Sequence, residues 1–329
     1  MMLGPKNGAP PISFQPKVVL FGYGVLGESA IEVVSRLDAS LVGVVVPTNR
    51  TGLGVERVKE AARRSGVVVL TQPGRTCLDK FLEQLRALSP DIIVVWSYSM
   101  ILPPEIIKLP RLGCVNLHGG ILPEYRGGHV MQWAIINGET ETGVTLHYID
   151  ESIDTGPIIA KLKFPIGVDD DGVSVQKKLG ESGAALLSEW WQKIIEQTAP
   201  KSLQDDAVAH YYRLLTPDDG LINWRWTSVE ICNRVRALVS PRPGAFTFLG
   251  TNKVTVHRAK YCTKTMTEVA VAAPGIVQRI SEDGLLVVTG DGAVNITEFE
   301  INDGFVSNSK ELSGFEIKTG SLFTNVPVV

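Results

Sequence analysis

Cysteine, aromatic residues and surplus charge are all scarce in this chain. Its 329 residues hold four cysteines, 7% aromatics and a formal net charge of −3. Cys77, Cys114, Cys232 and Cys262 lie far apart with no metal or redox spacing, so they read as ordinary reduced cysteines. The near-neutral balance gives no general support for binding nucleic acid or an anionic membrane, although a local basic patch stays open. No apolar stretch reaches the roughly 18–20 residues that a bilayer span requires. Internal repeats, low-complexity tracts and the H-E-x-x-H pattern are missing too. His118, His129 and His147 follow no recognised ligand spacing, and no metal is expected. Residues 1–16, rich in Pro and Gly without a signal-peptide core, read as a flexible N-terminal tail on a cytoplasmic protein.

What is present is the composition of a globular chain, 44% hydrophobic and 20% charged, long enough for two domains. Strands are expected at 17–21, 41–46, 67–70 and 92–96. They alternate with helices through about residue 37, at 55–65 and at 78–88. On the last helix Leu78, Phe81, Leu82, Leu85 and Leu88 form one apolar stripe. That alternation implies a Rossmann-like, doubly wound, mostly parallel α/β sheet. Further strands are expected at 112–117, 143–149 and 158–165, a helix at 130–136, and a long closing helix at 173–197. This places a first domain at 17–197, a linker at 198–212 and a second domain at 213–329. After one helix at 229–239, the turns at 243–244, 250–252, 282–284 and 291–292 indicate a smaller OB-like β-barrel domain, with strands at 285–288 and 294–299.

Gly22-Tyr23-Gly24-Val25-Leu26-Gly27 matches G-x-G-x-x-G between a strand and a helix, the setting of a dinucleotide site. The second strand should then end on an acid that binds the ribose. It ends Val46-Pro47-Thr48-Asn49-Arg50 instead, and Asp38 lies before it. Arg50 keeps an NADP-dependent oxidoreductase open through a 2′-phosphate. An anion site at the helix N-terminus is a third option. Close strand–helix packing is the favoured reading of these glycines.

Asn116-Leu117-His118 ends an apolar run read as a strand, so Asn116 and His118 share a face. Asp154 follows in Ile153-Asp154-Thr155-Gly156. An amide, an imidazole and a carboxylate together can polarise a carbonyl and move a proton. Asn-x-His alone is more often the mark of a hydrogen-bonded structural histidine. Context shifts that balance: Gly119-Gly120-Ile121-Leu122-Pro123-Glu124-Tyr125-Arg126-Gly127-Gly128 is a glycine-dense loop. There Arg126 suits a phosphate or carboxylate, or braces the loop as a surface cation.

These segments resemble the formyltetrahydrofolate-dependent formyltransferases. The resemblance runs through Asn116-Leu117-His118, Leu122 to Gly127, Trp133-Ala134-Ile135, Asn137 to Thr145 and Asp154-Thr155-Gly156. It continues in the second domain through Thr216 to Gly220, Ile222-Asn223-Trp224 and Arg236 to Phe246. It implies a formyltransferase fold and Asn116, His118 and Asp154 as catalytic residues. The co-substrate it implies is N10-formyltetrahydrofolate, with its pterin held by Ser99, Met100, Ile101, Leu102, Ile149, Asp150 and Ile153. A related strand–turn–helix in the family binds no dinucleotide. The formyl group would pass to a primary amine by direct attack through a tetrahedral intermediate.

Two branches fit the two-domain layout. Methionyl-tRNA formyltransferases act on charged initiator tRNA and typically carry a longer basic loop after the second strand. Here residues 47–58 hold only Arg50 and Arg57 as cations. The other branch formylates the amino group of nucleotide-linked sugars, as in UDP-4-amino-4-deoxy-L-arabinose formyltransferase. That branch is favoured, with Tyr98, Arg126, Gly127 and Gly128 as acceptor-binding residues and Trp224 or Trp226 as further aromatic options beside core packing. A folate- or nucleotide-binding sensor remains the non-catalytic alternative. The second domain can bind acceptor, build a homodimer or only support the first.

Overall fold

The computed structural model describes residues 14–74, 77–261, 272–302, 304–306 and 317–328. Most of the expected tail and Cys262 lie outside these. The tail's last residues are in place: the Phe14 ring lies under the Arg111 guanidinium, 4.5 Å from its centroid, and Gln15 donates to Asp38.

The first half alternates as its apolar pattern dictates. The elements are β1 Lys17–Gly22, α1 Gly24–Arg36, β2 Ser40–Pro47, α2 Leu53–Arg64, β3 Val68–Gln72, α3 Leu78–Ala87 and β4 Ile92–Trp96. They continue with α4 Pro104–Ile107 and β5 Cys114–His118. β4 is buried at every position, as a strand covered on both faces must be. β6 Arg126–Gly127, α5 Val130–Ile136, β7 Glu141–Tyr148, β8 Ile158–Pro165 and α6 Gly172–Ile195 follow. The large sheet has the order β3-β2-β1-β4-β5-β7-β8, and the pairs among β1 to β5 are parallel. Strand order reverses between β1 and β4, the switch point at which open α/β sheets bind ligands.

β7 departs from the parallel pattern. Ile149 N–H donates to the Cys114 carbonyl while Asn116 meets His147, so residue numbers rise on one strand as they fall on the other. β7 therefore runs antiparallel to β5.

The chain divides into two compact units. One comprises residues 1–118, 146–160 and 184–203; the other comprises 119–145, 161–183 and 204–329. In the second unit β9 Tyr211–Tyr212 pairs with β6, and α7 Ser228–Ala237 starts at a capping box. There Thr227 accepts from Glu230 N–H, and the Glu230 carboxylate accepts from Thr227 N–H. β10 Ala245–Leu249, β11 Asn252–Tyr261, β12 Val277–Ser281, β13 Gly284–Val288, β14 Ala293–Ile301, β15 Gly304–Val306 and β16 Phe323–Thr324 complete it. Their order is β12-β13-β14-β11-β10-β16, with β15 on β14 and each of these pairs antiparallel, as an OB-like half-barrel requires. Trp224 fills its core, stacked on Phe323 at 5.6 Å, with its indole N–H donated to Thr247. A buried indole needs such an acceptor, and Thr247 Oγ1 supplies it.

Candidate active site

Asn116 and His118 lie two apart on β5, and the neighbouring β7 brings His147 against them. His147 Nδ1 is 2.8 Å from the Tyr148 carbonyl, which can only accept, so Nδ1 carries the proton. Nε2 is then a lone pair, and it accepts from Asn116 Nδ2 at 3.1 Å. That contact fixes the rotation of the Asn116 amide and leaves its second N–H for another acceptor. His147 is 2% exposed. Burial, with His118 next, pushes it down to about 4, so the ring is neutral at physiological pH.

Asp154 reaches this pair from the loop after β7. Its Oδ1 is 3.5 Å from His118 Nδ1 and 3.8 Å from His147 Nε2. Asp154 has φ of 55°, the left-handed region that Asp tolerates better than most residues. The loop that holds it there is closed locally. Thr155 Oγ1 and Ser152 N–H both donate to Asp150 Oδ1, at 2.7 and 3.2 Å. Gly156 follows because a Cβ there would lie 1.8 Å from the Tyr148 carbonyl oxygen. Asp-Thr-Gly is thus a carboxylate, the hydroxyl that ties its loop, and the close approach that lets the chain leave.

The arrangement combines one oriented amide, one buried imidazole beside a carboxylate, and one neutral histidine behind them. It can donate a hydrogen bond to an oxygen that gains negative charge and pass a proton to or from a neighbouring amine. Among the described residues no group of three or more His, Cys, Asp or Glu side chains is arranged to hold a metal ion. By sequence alone His147 is only a histidine at no recognised metal-ligand spacing. Its signal was the alternation Thr145, His147 on one face of a strand, legible as a site only once β5 is its neighbour.

The residues expected at the donor lie in two loops. Ser99, Met100, Ile101 and Leu102 follow β4; Leu102 is buried and Ile101 exposed. A cavity of 320 Å³ is lined by Ser99, Met100 and Ile101 together with Asn49, Gln72 and Leu78. Ile149, Asp150 and Ile153 lie in the loop after β7, where Ile153 is exposed and Asp150 is bonded within its own loop. Exposed aliphatic side chains in both loops suit a flat heteroaromatic ring, which a pterin is.

Of the expected acceptor residues, Tyr98 donates its hydroxyl to Gln72 at 3.0 Å and packs edge-on against Phe21. Burial raises its phenol, so it stays a neutral donor. Arg126 belongs to the second unit and is 2% exposed. Its guanidinium donates to Gln204 at 2.9 and 3.0 Å, to Asp206 at 2.8 Å and to the Tyr211 hydroxyl at 3.2 Å. Gly127 pairs with Tyr212, and Gly128 N–H donates to the Tyr212 carbonyl. Trp224 is a core residue and Trp226 lies beneath the Arg234 guanidinium.

The glycine motif at the start of the chain is strand–helix packing. A Cβ on Gly27 would lie 2.7 Å from the Gly22 carbonyl carbon, so both glycines serve the contact between β1 and α1. The Tyr23 ring closes over Gly54, and the Arg50 guanidinium sits 5.9 Å from that ring.

Residues 17–190 match the family model described as "Formyl transferase", and residues 214–314 match "Formyl transferase, C-terminal domain". A methionyl-tRNA formyltransferase of Geobacter sulfurreducens is 32% identical over 295 residues, covering 88% of this chain and 90% of that protein. Two solved structures share the fold. One is the sugar 3N-formyl transferase WlaRD with dTDP and 5-N-formyl-THF, with TM-score 0.64 and 21% identity, covering 86% of this chain and 98% of that one. The other is an N-formyltransferase from Helicobacter canadensis in complex with folinic acid and dTDP-3-aminofucose, with TM-score 0.65 and 22% identity, covering 86% and 99%.

Proposed function

Because this chain belongs to the formyl transferase family, we propose that Asn116, His118 and Asp154 catalyse formyl transfer from N10-formyltetrahydrofolate to a primary amine. The observation that carries this reading is the meeting of an oriented amide, a buried imidazole and a carboxylate at the end of β5. The bound folate supplies the formyl carbon. Ser99 to Leu102 and the loop of Ile149, Asp150 and Ile153 would hold its ring.

Asn116 has the orienting role at the carbonyl oxygen. One amide N–H is engaged by His147, and the other is directed at the oxygen on which negative charge develops. His118 accepts the proton that the attacking amine must lose, and the Asp154 carboxylate, 3.5 Å from Nδ1, orients the ring. A second cation would be a liability beside that imidazolium. His147 avoids it by remaining neutral.

The acceptor in this reading is a small amine, the amino group of a nucleotide-linked sugar. Only residues 48–52 separate β2 from α2, and they contain one cation, Arg50. Arg57 at the start of α2 is paired with Glu28 at 3.0 Å. An RNA acceptor requires several cations on its phosphates, and this connection supplies few. Charged initiator tRNA is the second reading, favoured by the relative from Geobacter sulfurreducens that carries that name. An assay with N10-formyltetrahydrofolate, a panel of nucleotide-linked amino sugars and methionylated initiator tRNA separates them. Turnover of an amino sugar is expected; efficient formylation of the tRNA alone would replace the small acceptor with RNA. Donor binding without turnover on any amine would leave a sensor.

A further inference from the structure

We infer that Gln72 is a positioning residue for the donor-binding loop, acting as a buried latch that sets the backbone of residues 98–102. This inference rests on the donor reading above, which gives that loop to the folate.

The loop leaves β4 at Ser97, whose φ is 55°, and the strand order separates β4 from β3 by β1 and β2. To reach β3 the loop must cross the carboxyl ends of the two strands between. What holds it there is the last residue of β3. Gln72 is 2% exposed, and both ends of its amide are used. Nε2 donates to the Ile101 carbonyl at 3.2 Å, and Oε1 accepts from the Tyr98 hydroxyl at 3.0 Å. The opposite rotation of the amide would set its oxygen against the Ile101 carbonyl, two acceptors with no proton between them. The Gln72 backbone carbonyl in turn accepts from Thr48 N–H and Thr48 Oγ1, at 3.3 and 2.7 Å. One residue therefore ties the connections after β2 and β4 to the end of β3.

A second tie is wetter. Asn49 Nδ2 donates to the Ser99 carbonyl at 3.0 Å, and Ser99 Oγ donates to Asn49 Oδ1 at 2.6 Å. Those groups are exposed and exchange readily with water. The Gln72 side chain is buried and its two bonds are partly shielded from water, so losing them costs more than losing the exposed tie. Gln72 touches none of Asn116, His118 or Asp154 in its hydrogen bonds. Its effect belongs on donor affinity rather than on the chemical step.

The test is Gln72→Leu, which keeps the bulk and removes both bonds. The dissociation constant for 5-formyltetrahydrofolate and the KM for donor should each rise about tenfold, the equivalent of one or two net hydrogen bonds. At saturating donor, kcat and acceptor KM should stay within about twofold, because an interaction made equally in ground and transition states moves KM alone. Amide exchange of residues 98–102 should quicken while β4 stays protected. Quickened exchange with unchanged donor affinity overturns the inference, as does a fall in kcat at unchanged donor KM. If Gln72→Leu fails to fold, Tyr98→Phe removes one bond and keeps the ring on Phe21. A rise in donor KM of about threefold supports the latch, and no rise overturns it. Wild-type protein that binds no 5-formyltetrahydrofolate overturns the functional reading and the latch together, which distinguishes that result from failure of the latch alone.

Discussion

Two buried polar clusters, one in each unit, carry the groups that mattered most in the sequence, and they are built in opposite ways. Around Arg126 four donor contacts of 2.8 to 3.2 Å engage Gln204, Asp206 and Tyr211. Around His118 the Asp154 carboxylate stands 3.5 Å from the ring, and short bonds hold Asn116 and His147 in place. A guanidinium with four of its five N–H donors engaged at such distances braces the chain around it. An imidazole and a carboxylate set slightly apart can tighten when charge develops between them, as catalytic hydrogen bonds commonly do in the presence of substrate. Conserving energy in the first cluster and reserving it in the second are different uses of the same chemistry.

Breaking the second cluster should give the largest effect. His118→Ala should lower kcat about 10²–10⁴-fold, the usual worth of a proton-transfer group, with the melting temperature within a few degrees of wild type. Wild-type turnover in that variant sinks the mechanism. Asn116→Ala comes next, with a loss of about 10²–10³-fold in kcat for one donor to the developing oxyanion. Steady-state kinetics at saturating donor and acceptor will measure it, and an effect confined to KM would remove Asn116 from the chemical step.

The first cluster should respond in stability. Arg126→Met is expected to cost about 1.5–3 kcal/mol in denaturant unfolding, as hydrogen bonds to a charged group do, with acceptor KM nearly unchanged. The reverse pattern, a higher acceptor KM at unchanged stability, would return Arg126 to the acceptor site.

His147 connects stability to pH. Its folded-state value is depressed to about 4 against an ordinary 6.5, so the unfolded chain binds the proton first as pH falls. Its contribution to stability is complete above about pH 6.5 and declines toward pH 4, by at most about 1.4 kcal/mol per pH unit. Urea midpoints of wild type and His147→Gln between pH 7 and 4.5 should converge; parallel curves would mean that His147 binds its proton equally well in the folded and unfolded chain. The smallest change is Thr155→Val, which removes one bond to Asp150. About 1 kcal/mol of stability and a few-fold in kcat are expected, through looser placement of Asp154.

The fold was legible because its signals are local. Apolar runs such as 92–96 and the stripe of Leu78, Phe81, Leu82 and Leu85 specify strand and helix through burial alone. Thr227 and Glu230 mark the start of α7 in the same way, which moves it one residue ahead of the apolar pattern. The site was partly legible. Asn116, His118 and Asp154 could be singled out because their spacing and surrounding segments match a family. The partners that orient them could not. His147 is two strands' worth of context away from meaning anything, and Gln72 is an unremarked polar residue at the end of a short strand. Arg126 reads in sequence as a cation for a ligand or a brace for its loop, because sequence shows charge and not the partners that engage it.

The sequence by itself determined the alternating elements, the two-part layout and the amide, imidazole and carboxylate on which formyl transfer would depend. The elements and layout follow from residue type and short-range spacing, whereas the three site residues follow from the resemblance of their segments to a family. Only the tertiary structure decided that β7 runs antiparallel to β5 and so lays His147 against Asn116. It also decided that Gln204, Asp206 and Tyr211 engage Arg126 and that β3 reaches the loop after β4 through Gln72. The physical reason is common to all three: hydrogen bonds between side chains distant in sequence depend on strand order and direction, which no local pattern contains.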